Sequence, residues 1–441
     1  MSTDLRYNFE AGGQYSYHKE EESIAMSFNP FEEKPIKLEN SFYDWKSLYP
    51  KPYNKKEVSP YTKLRVILMN GTEFEAVWFS HQNMRNCRNN DIRREMALIR
   101  RTEQQQQKRI SMLKPLDENI LEHTIGYEQL AVDLTAVLAM REPDPYVKQA
   151  LDFALLEDFD HLYRYANLLD MEYGIKAENL VNRYVEITPG RPTISEHRFP
   201  IDDVRHYVCF KKAHPLTKLA INIITAAEQQ TMNYYMNVGS TYTSDLGRKL
   251  YQEICLIEEQ HVTHYGSLKD TTCTMLESLL MHEYTECYLY YSCYQDESDP
   301  KIKSIWEQHL EQEIAHLHIA SELLECYEGT VWQKVIPDGK FPELLKLQPT
   351  IEYVKQVLPT VRLTTDFEDY VEVSEKYEAS PFFKYQKLVN KNPVNNPSHM
   401  VIEKHIQKMD QDYRFETGQH PVPELRDRKA DNIDIGRIRE A

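Results

Sequence analysis

Glu128, Glu228 and Glu283 are each followed 30 residues later by an acid, and three residues beyond that by a histidine: Asp158/His161, Glu258/His261 and Glu313/His316. A gap of three places acid and imidazole on one face of a helix. The same offset used three times constrains the chain to a helical hairpin used three times. The middle of each interval carries turn and helix-start residues: Glu142-Pro143-Asp144-Pro145, Thr243-Ser244-Asp245 and Ser298-Asp299-Pro300. Asp-Pro supplies an N-cap acceptor followed by a proline at the first helical position, where its missing N–H costs nothing. A leg of about 13 residues rises roughly 20 Å, so each glutamate and its acid-x-x-His partner stand at one height on adjacent antiparallel helices.

The faces agree. At spacings of three and four, Asp158 and His161 share a stripe with Leu151, Leu155, Leu162 and Tyr165. Glu258 and His261 share one with Tyr251, Ile254 and Tyr265, and Glu313 and His316 one with Leu310, Leu317 and Ala320. Glu128, Glu228 and Glu283 lie among apolar residues of their own helices. An uncompensated carboxylate in such a core costs several kcal/mol. Two divalent cations held by four carboxylates and two neutral imidazoles remove that cost. A fourth acid-x-x-His match, Asp203/His206, has Tyr173 in place of the upstream glutamate and follows Pro200; it reads as an ordinary Asp–His contact.

These residues resemble the ferritin-like di-iron carboxylate superfamily, which includes rubrerythrins and di-iron oxygenases. The likeness covers about 116–327. It implies an all-α fold: a ferritin-like four-helix bundle with an additional helical hairpin. It implies a di-iron carboxylate oxidoreductase that activates O2 or peroxide at a dinuclear site, of oxygenase or oxidase type. A rubrerythrin-like peroxidase and a non-catalytic iron-binding or scaffold protein are the alternatives. The cofactor would be two Fe ions, or Mn or mixed Mn/Fe. The partners would be a separate electron donor (ferredoxin, rubredoxin or a reductase) and a small-molecule substrate, with a homodimer left open.

One dinuclear site needs two hairpins, and three are present. Hairpins one and two are favoured, with Glu128, Asp158, His161, Glu228, Glu258 and His261 as metal ligands. Both carry a tyrosine one turn after the histidine, Tyr165 and Tyr265, expected beside the metals as hydrogen bonders or relays. The alternative half-site is Glu283, Glu286, Glu313 and His316; Glu283-Tyr284-Thr285-Glu286 resembles the third rubrerythrin helix, where two glutamates three apart serve the metals. Asp158 stands where the family usually has a longer glutamate, and Glu157 is its possible substitute.

Outside this region the chain is divided as follows. Residues 1–60, polar, aromatic and proline-containing, read as an extended arm. Residues 61–115 read as a β-hairpin plus a basic helix: Asn70-Gly71 suits a type I′ turn between Lys63–Met69 and Thr72–Phe79, and Asp91–Lys114 reads as helical. From Arg85 to Lys114 there are nine basic and three acidic residues, either a solvated face or a docking strip for an acidic electron donor. The core domain spans 116–330, interrupted by a long connection at about 187–204. Residues 331–441 read as a wrapping extension with helices near Ile351–Val357 and His399–Met409. A net charge of -17 disfavours nucleic acid and anionic membranes as partners. Seven cysteines without a C-x-x-C pair exclude a rubredoxin-like centre and fit a reducing, cytoplasmic setting. No signal peptide or membrane span is expected.

Overall fold

The computed structural model describes residues 28–367, 369–392 and 395–426. It is mostly helical. Four long helices come first: α1 (Pro60–Asn86), α2 (Asn90–Ser111), α3 (Ile120–Arg141) and α4 (Pro145–Tyr173). A connection containing the single-turn α5 (Thr193–Glu196) leads to four more: α6 (Pro215–Thr241), α7 (Asp245–Gly266), α8 (Met275–Asp296) and α9 (Pro300–Glu328). Each of the second four begins and ends 155 residues after its counterpart in the first (215 against 60, 245 against 90, 275 against 120, 300 against 145). The chain is therefore built from two four-helix units of equal dimensions.

The punctuation repeats with the same offset. Asn119 and Glu122 form a capping box at the start of α3, and Thr274 and Glu277 form one at the start of α8. Asp144 and Asp299 cap α4 and α9 ahead of Pro145 and Pro300. Gly174 and Gly329 end those helices at φ 66° and 63°, a left-handed conformation that glycine adopts without the usual steric cost.

The β-hairpin expected within 63–79 is instead the interior of α1. Its Val, Ile and Phe content has a different cause. α1 packs against α2, α3, α6 and α8, so it is buried on several sides and lacks the one-sided stripe that marks a surface helix. Asn70-Gly71 is a helix crossing, not a turn. A Cβ at Gly71 would meet the Gln230 side chain of α6 at 2.5 Å. Gln230 accepts from Asn70 Nδ2 at 2.6 Å and donates to the Ile67 carbonyl at 3.1 Å. The basic helix is present as α2, ending three residues earlier than expected.

The hairpins pair crosswise. α3–α4 packs on α6–α7, forming a first bundle; α1–α2 packs on α8–α9, forming a second. α1 and α6 lie against each other between the bundles, and a continuous apolar core runs through both. The same-offset pairing is visible in single bonds: Thr62 donates to Glu297 (2.7 Å), and Thr217 to Glu142. The third hairpin is thus half of a second bundle, not an appendage to the first.

Of the N-terminal arm, residues 1–27 lie outside the described residues; the rest holds turns and a short 3-10 helix, Leu38–Asn40. After α9 come α10 (Ile351–Val357), a two-stranded antiparallel ribbon of β1 (Leu363–Asp366) and β2 (Asp369–Glu372), α11 (Pro381–Val389) and α12 (Pro397–Met409). The ribbon was not anticipated. α10 packs on α3 and α4, and α12 on α4 and α7, so this segment lies along the first bundle. Residues 427–441 of the expected extension lie outside the described residues. Among the described residues, no helix is long and apolar enough to cross a membrane.

Candidate metal centre

In the first bundle each helix contributes from the middle of its length: Glu128 from α3, Asp158 and His161 from α4, Glu228 from α6, and Glu258 and His261 from α7. All six are at most 1% exposed. Their donor atoms form two sets, each within 4.8 Å: Glu128, Asp158, His161 and Glu258; and Asp158, Glu228, Glu258 and His261. The sets share Asp158 and Glu258, the two acids of the acid-x-x-His pairs. Both imidazoles turn Nδ1 inward. His161 Nδ1 lies 3.0 Å from Glu258 Oε1, 3.9 Å from Glu128 Oε2 and 4.0 Å from Asp158 Oδ1. His261 Nδ1 lies 3.2 Å from Asp158 Oδ1, 3.3 Å from Glu258 Oε2 and 3.7 Å from Glu228 Oε2.

The outward nitrogens meet a second layer of acids. His261 Nε2 is 2.7 Å from Glu157 Oε2. Glu157 Oε1 accepts from Arg191 Nη1 at 2.6 Å and also from Arg198. His161 Nε2 faces Glu196 Oε2 at 3.6 Å. Glu157 therefore does not replace Asp158; it supports His261 from behind. Arg191, Glu196 and Arg198 all come from the connection between α4 and α6. The sequence marked that segment only as a linker, and nothing in its local pattern indicates which side chains fold inward.

Several oxygens here have no hydrogen-bond partner among the described residues: both of Asp158, both of Glu228, Glu128 Oε2 and Glu258 Oε2. Buried polar atoms are normally paired, and an unpaired carboxylate is among the most costly groups to bury. The electrostatics express the same conflict. Burial, then Glu258 and Asp158, pushes Glu128 well up; burial, then Glu228, pushes Asp158 to about 7. Burial, reinforced by Glu228, also raises Glu258. Burial works against charge on both imidazoles. At His261 it is outweighed by Asp158, Glu157 and Glu228, so that ring is drawn toward a proton, whereas His161 is held well down by burial and by His261. At Glu157 burial is outweighed by Arg198 and Arg191, which hold it well below the usual carboxylate range.

The tyrosines divide differently from expectation. The hydroxyls of Tyr165 and Tyr265 have no hydrogen-bond partner among the described residues. The Tyr165 ring packs on Tyr235 and Tyr251 at 5.3 and 5.0 Å, and Tyr265 lies beside His261 at 6.5 Å. Tyr235 of α6 is the one that donates to a site carboxylate, Glu128 Oε1, at 2.5 Å. It lies one face-repeat after Glu228, but a tyrosine on an apolar stripe gives no sign that it will reach an acid on another helix. Glu283, Glu286, Glu313 and His316 are also buried, and gather in the second bundle. Asp203 accepts from Arg198 Nε at 2.5 Å and takes no part in the cluster.

No family model, curated protein or solved structure matches this chain.

Proposed function

We propose that the first bundle is a ferritin-like di-metal carboxylate centre, and that the protein is a di-iron oxidoreductase acting on O2 or peroxide. The observation that carries this reading is the pair of overlapping four-donor sets, buried, with both Nδ1 atoms turned toward carboxylates, six of whose oxygens have no hydrogen-bond partner among the described residues. Glu128, Asp158 and His161 would hold one ion, and Glu228, Glu258 and His261 the other, with Asp158 and Glu258 within reach of both. The donor chemistry fits: carboxylates and imidazoles suit iron and manganese, and helices supplying single glutamates and acid-x-x-His pairs are a known way to hold two such ions. Bound iron would supply the electron transfer that no side chain here performs.

The remaining roles belong to the chain. With a cation bound in place of the Nδ1 proton, Glu157, kept ionised by Arg191 and Arg198, would accept the Nε2 proton of His261 and leave the Nδ1 lone pair directed inward. Glu196 faces the matching nitrogen of His161. Tyr235 fixes one Glu128 oxygen by hydrogen bonding and leaves the other toward the cluster. Complete burial excludes bulk water and favours a small oxidant over a large one. Reductant would come from a separate donor protein, for which the exposed Arg93, Arg94, Arg101 and Lys108 of α2 offer a basic face. A non-catalytic iron-binding role is the second reading, because burial of every donor also suits a static site.

The test is anaerobic Fe2+ loading followed by metal analysis and oxygen uptake. Wild type should bind iron and consume O2 or peroxide. His161→Ala and His261→Ala should lose both. Iron bound without turnover would leave the static site; loss of metal from neither variant would end the di-metal reading.

A further inference from the structure

The offset of 155 that relates the helices also relates the acids. Removing 155 from Glu228, Glu258 and His261 gives Glu73, Glu103 and Gln106; adding it to Glu128, Asp158 and His161 gives Glu283, Glu313 and His316. The crosswise pairing brings these two sets together, α1–α2 against α8–α9, as it brings α3–α4 against α6–α7. Every ligand position of the first bundle thus has a twin in the second. Five of the six twins are acids or a histidine, and the sixth is a glutamine. α1–α2 is a fourth hairpin of the same kind, concealed because Gln106 stands where a histidine would announce it.

We propose that the second bundle holds a metal centre of its own, built from Glu73, Glu103, Glu283, Glu286, Glu313 and His316 and suited to an oxygen-preferring divalent cation, Mn2+ or Fe2+. Three donor sets close to within 4.8 Å there: Glu103, Glu283 and His316; Glu283, Glu286 and Glu313; and Glu103, His282 and Glu286. His316 turns Nδ1 toward Glu313 Oε2 (3.0 Å) and Glu283 Oε2 (3.6 Å), the orientation seen at His161 and His261. All six residues are at most 1% exposed. Both oxygens of Glu283 and of Glu286, together with Glu73 Oε2 and Glu103 Oε2, have no hydrogen-bond partner among the described residues. So many unpaired buried carboxylate oxygens call for cations. The tyrosine arrangement recurs from a different helix: Tyr290 donates to Glu73 Oε1, as Tyr235 does to Glu128.

The twin is not a copy, and the differences set its chemistry. Gln106 replaces one imidazole and donates to Glu313 Oε1 at 2.6 Å. Glu286 is an added carboxylate; its counterpart in the first bundle is Ala131. With His282 counted, the second bundle offers two nitrogen donors and five carboxylates against two and four in the first, and the carboxylate-richer set favours Mn2+ or Fe2+ over Zn2+. The supporting layer is also thinner. Gln312 occupies the position of Glu157; neither His316 Nε2 nor its twin His161 Nε2 has a hydrogen-bond partner among the described residues, but His161 Nε2 faces Glu196 Oε2 at 3.6 Å and His316 Nε2 faces no carboxylate that close. Outer-layer partners of metal-binding histidines change affinity by about 10–100-fold, so the second centre should release its metal to a chelator before the first.

The experiment is metal counting on the full chain after loading with Mn2+ or Fe2+ alone, with anomalous diffraction from wild-type crystals at the same metal's edge. A His161→Ala/His261→Ala variant should retain the second-bundle metal, and Glu103→Gln/Glu283→Gln should lose that fraction and keep the other. Anomalous density among Glu103, Glu283, Glu286 and Glu313 supports the proposal even if the variants fold poorly. Absence of density there in metal-loaded crystals overturns it, as does an unchanged metal content in Glu103→Gln/Glu283→Gln. Density in the second bundle alone would support this centre while overturning the reading of the first.

Discussion

The two bundles share helix lengths, caps and the positions of their inward acids, yet they differ in what stands behind the histidines. In the first, the connection between α4 and α6 folds three charged side chains inward, and Glu157 and Glu196 face the outer nitrogens of His261 and His161. In the second, the corresponding space around α9 is filled by the N-terminal arm. There Tyr43 donates to Gln312 Oε1 at 3.1 Å, and Gln312 donates to the Ser41 carbonyl at 3.1 Å. Helix geometry places the donors; the segments wrapped around each bundle decide how firmly a histidine is aimed. A repeated scaffold can therefore carry two centres of unequal strength.

The largest effect should come from removing the inward histidines. His161→Ala with His261→Ala should eliminate first-bundle metal, and metal analysis should show no such loss of that fraction in His316→Ala. Next is Glu157→Gln, which leaves Arg191 and Arg198 facing a neutral group. Removing one partner of a buried ion pair costs about 3–5 kcal/mol, measurable by denaturant unfolding. Gln312→Ala, at the twin position, should cost only about 1–2 kcal/mol, the worth of the two neutral hydrogen bonds it loses. Equal losses would mean that the two outer layers do not differ as described. Gly71→Ala gains about 1 kcal/mol of helix propensity but must displace the Gln230 side chain at an overpacking cost of about 1–3 kcal/mol, for a net loss of up to about 2 kcal/mol, while Ala226→Gly, its counterpart on α6, should cost about 1 kcal/mol from helix propensity alone.

The smallest effect separates the twin carboxylates Glu297 and Glu142. At Glu297, burial is outweighed by Arg65, whose Nε lies 3.0 Å away, and its pKa is lowered. Ala220 replaces that arginine near Glu142, which burial raises. A lowered carboxyl pKa stabilises the fold above the ordinary carboxylate range, and this is lost as pH falls through the folded value. A raised one stabilises below that range and is lost as pH rises through the folded value. Glu297→Gln should therefore cost more than Glu142→Gln in thermal unfolding at neutral pH, and the gap should close on acidification below about pH 4.

Three of the four hairpins were legible because their histidines punctuate the 30-residue spacing. The fourth was not, because Gln106 carries no such mark and because Asn70-Gly71 on α1 mimics a hairpin turn. Local sequence cannot distinguish a glycine that turns the chain from one that admits a neighbouring helix; the difference lies in Gln230, 159 residues away from Gly71. Hairpins one and two pack against each other, but the matched tyrosines that singled them out do not reach the acids: Tyr235, not Tyr165 or Tyr265, donates to Glu128. Glu196, Arg191 and Arg198 were unreadable for a related reason, since an irregular segment has no periodicity to say which residues face inward.

The central claim is that the six donors of the first bundle gather around two metal ions. Anomalous diffraction from iron-loaded wild-type crystals tests it most directly. The account predicts two neighbouring peaks between His161 Nδ1 and His261 Nδ1, with Asp158 and Glu258 touching both. A loaded crystal with no peak there, or with iron held only by surface carboxylates, would contradict it.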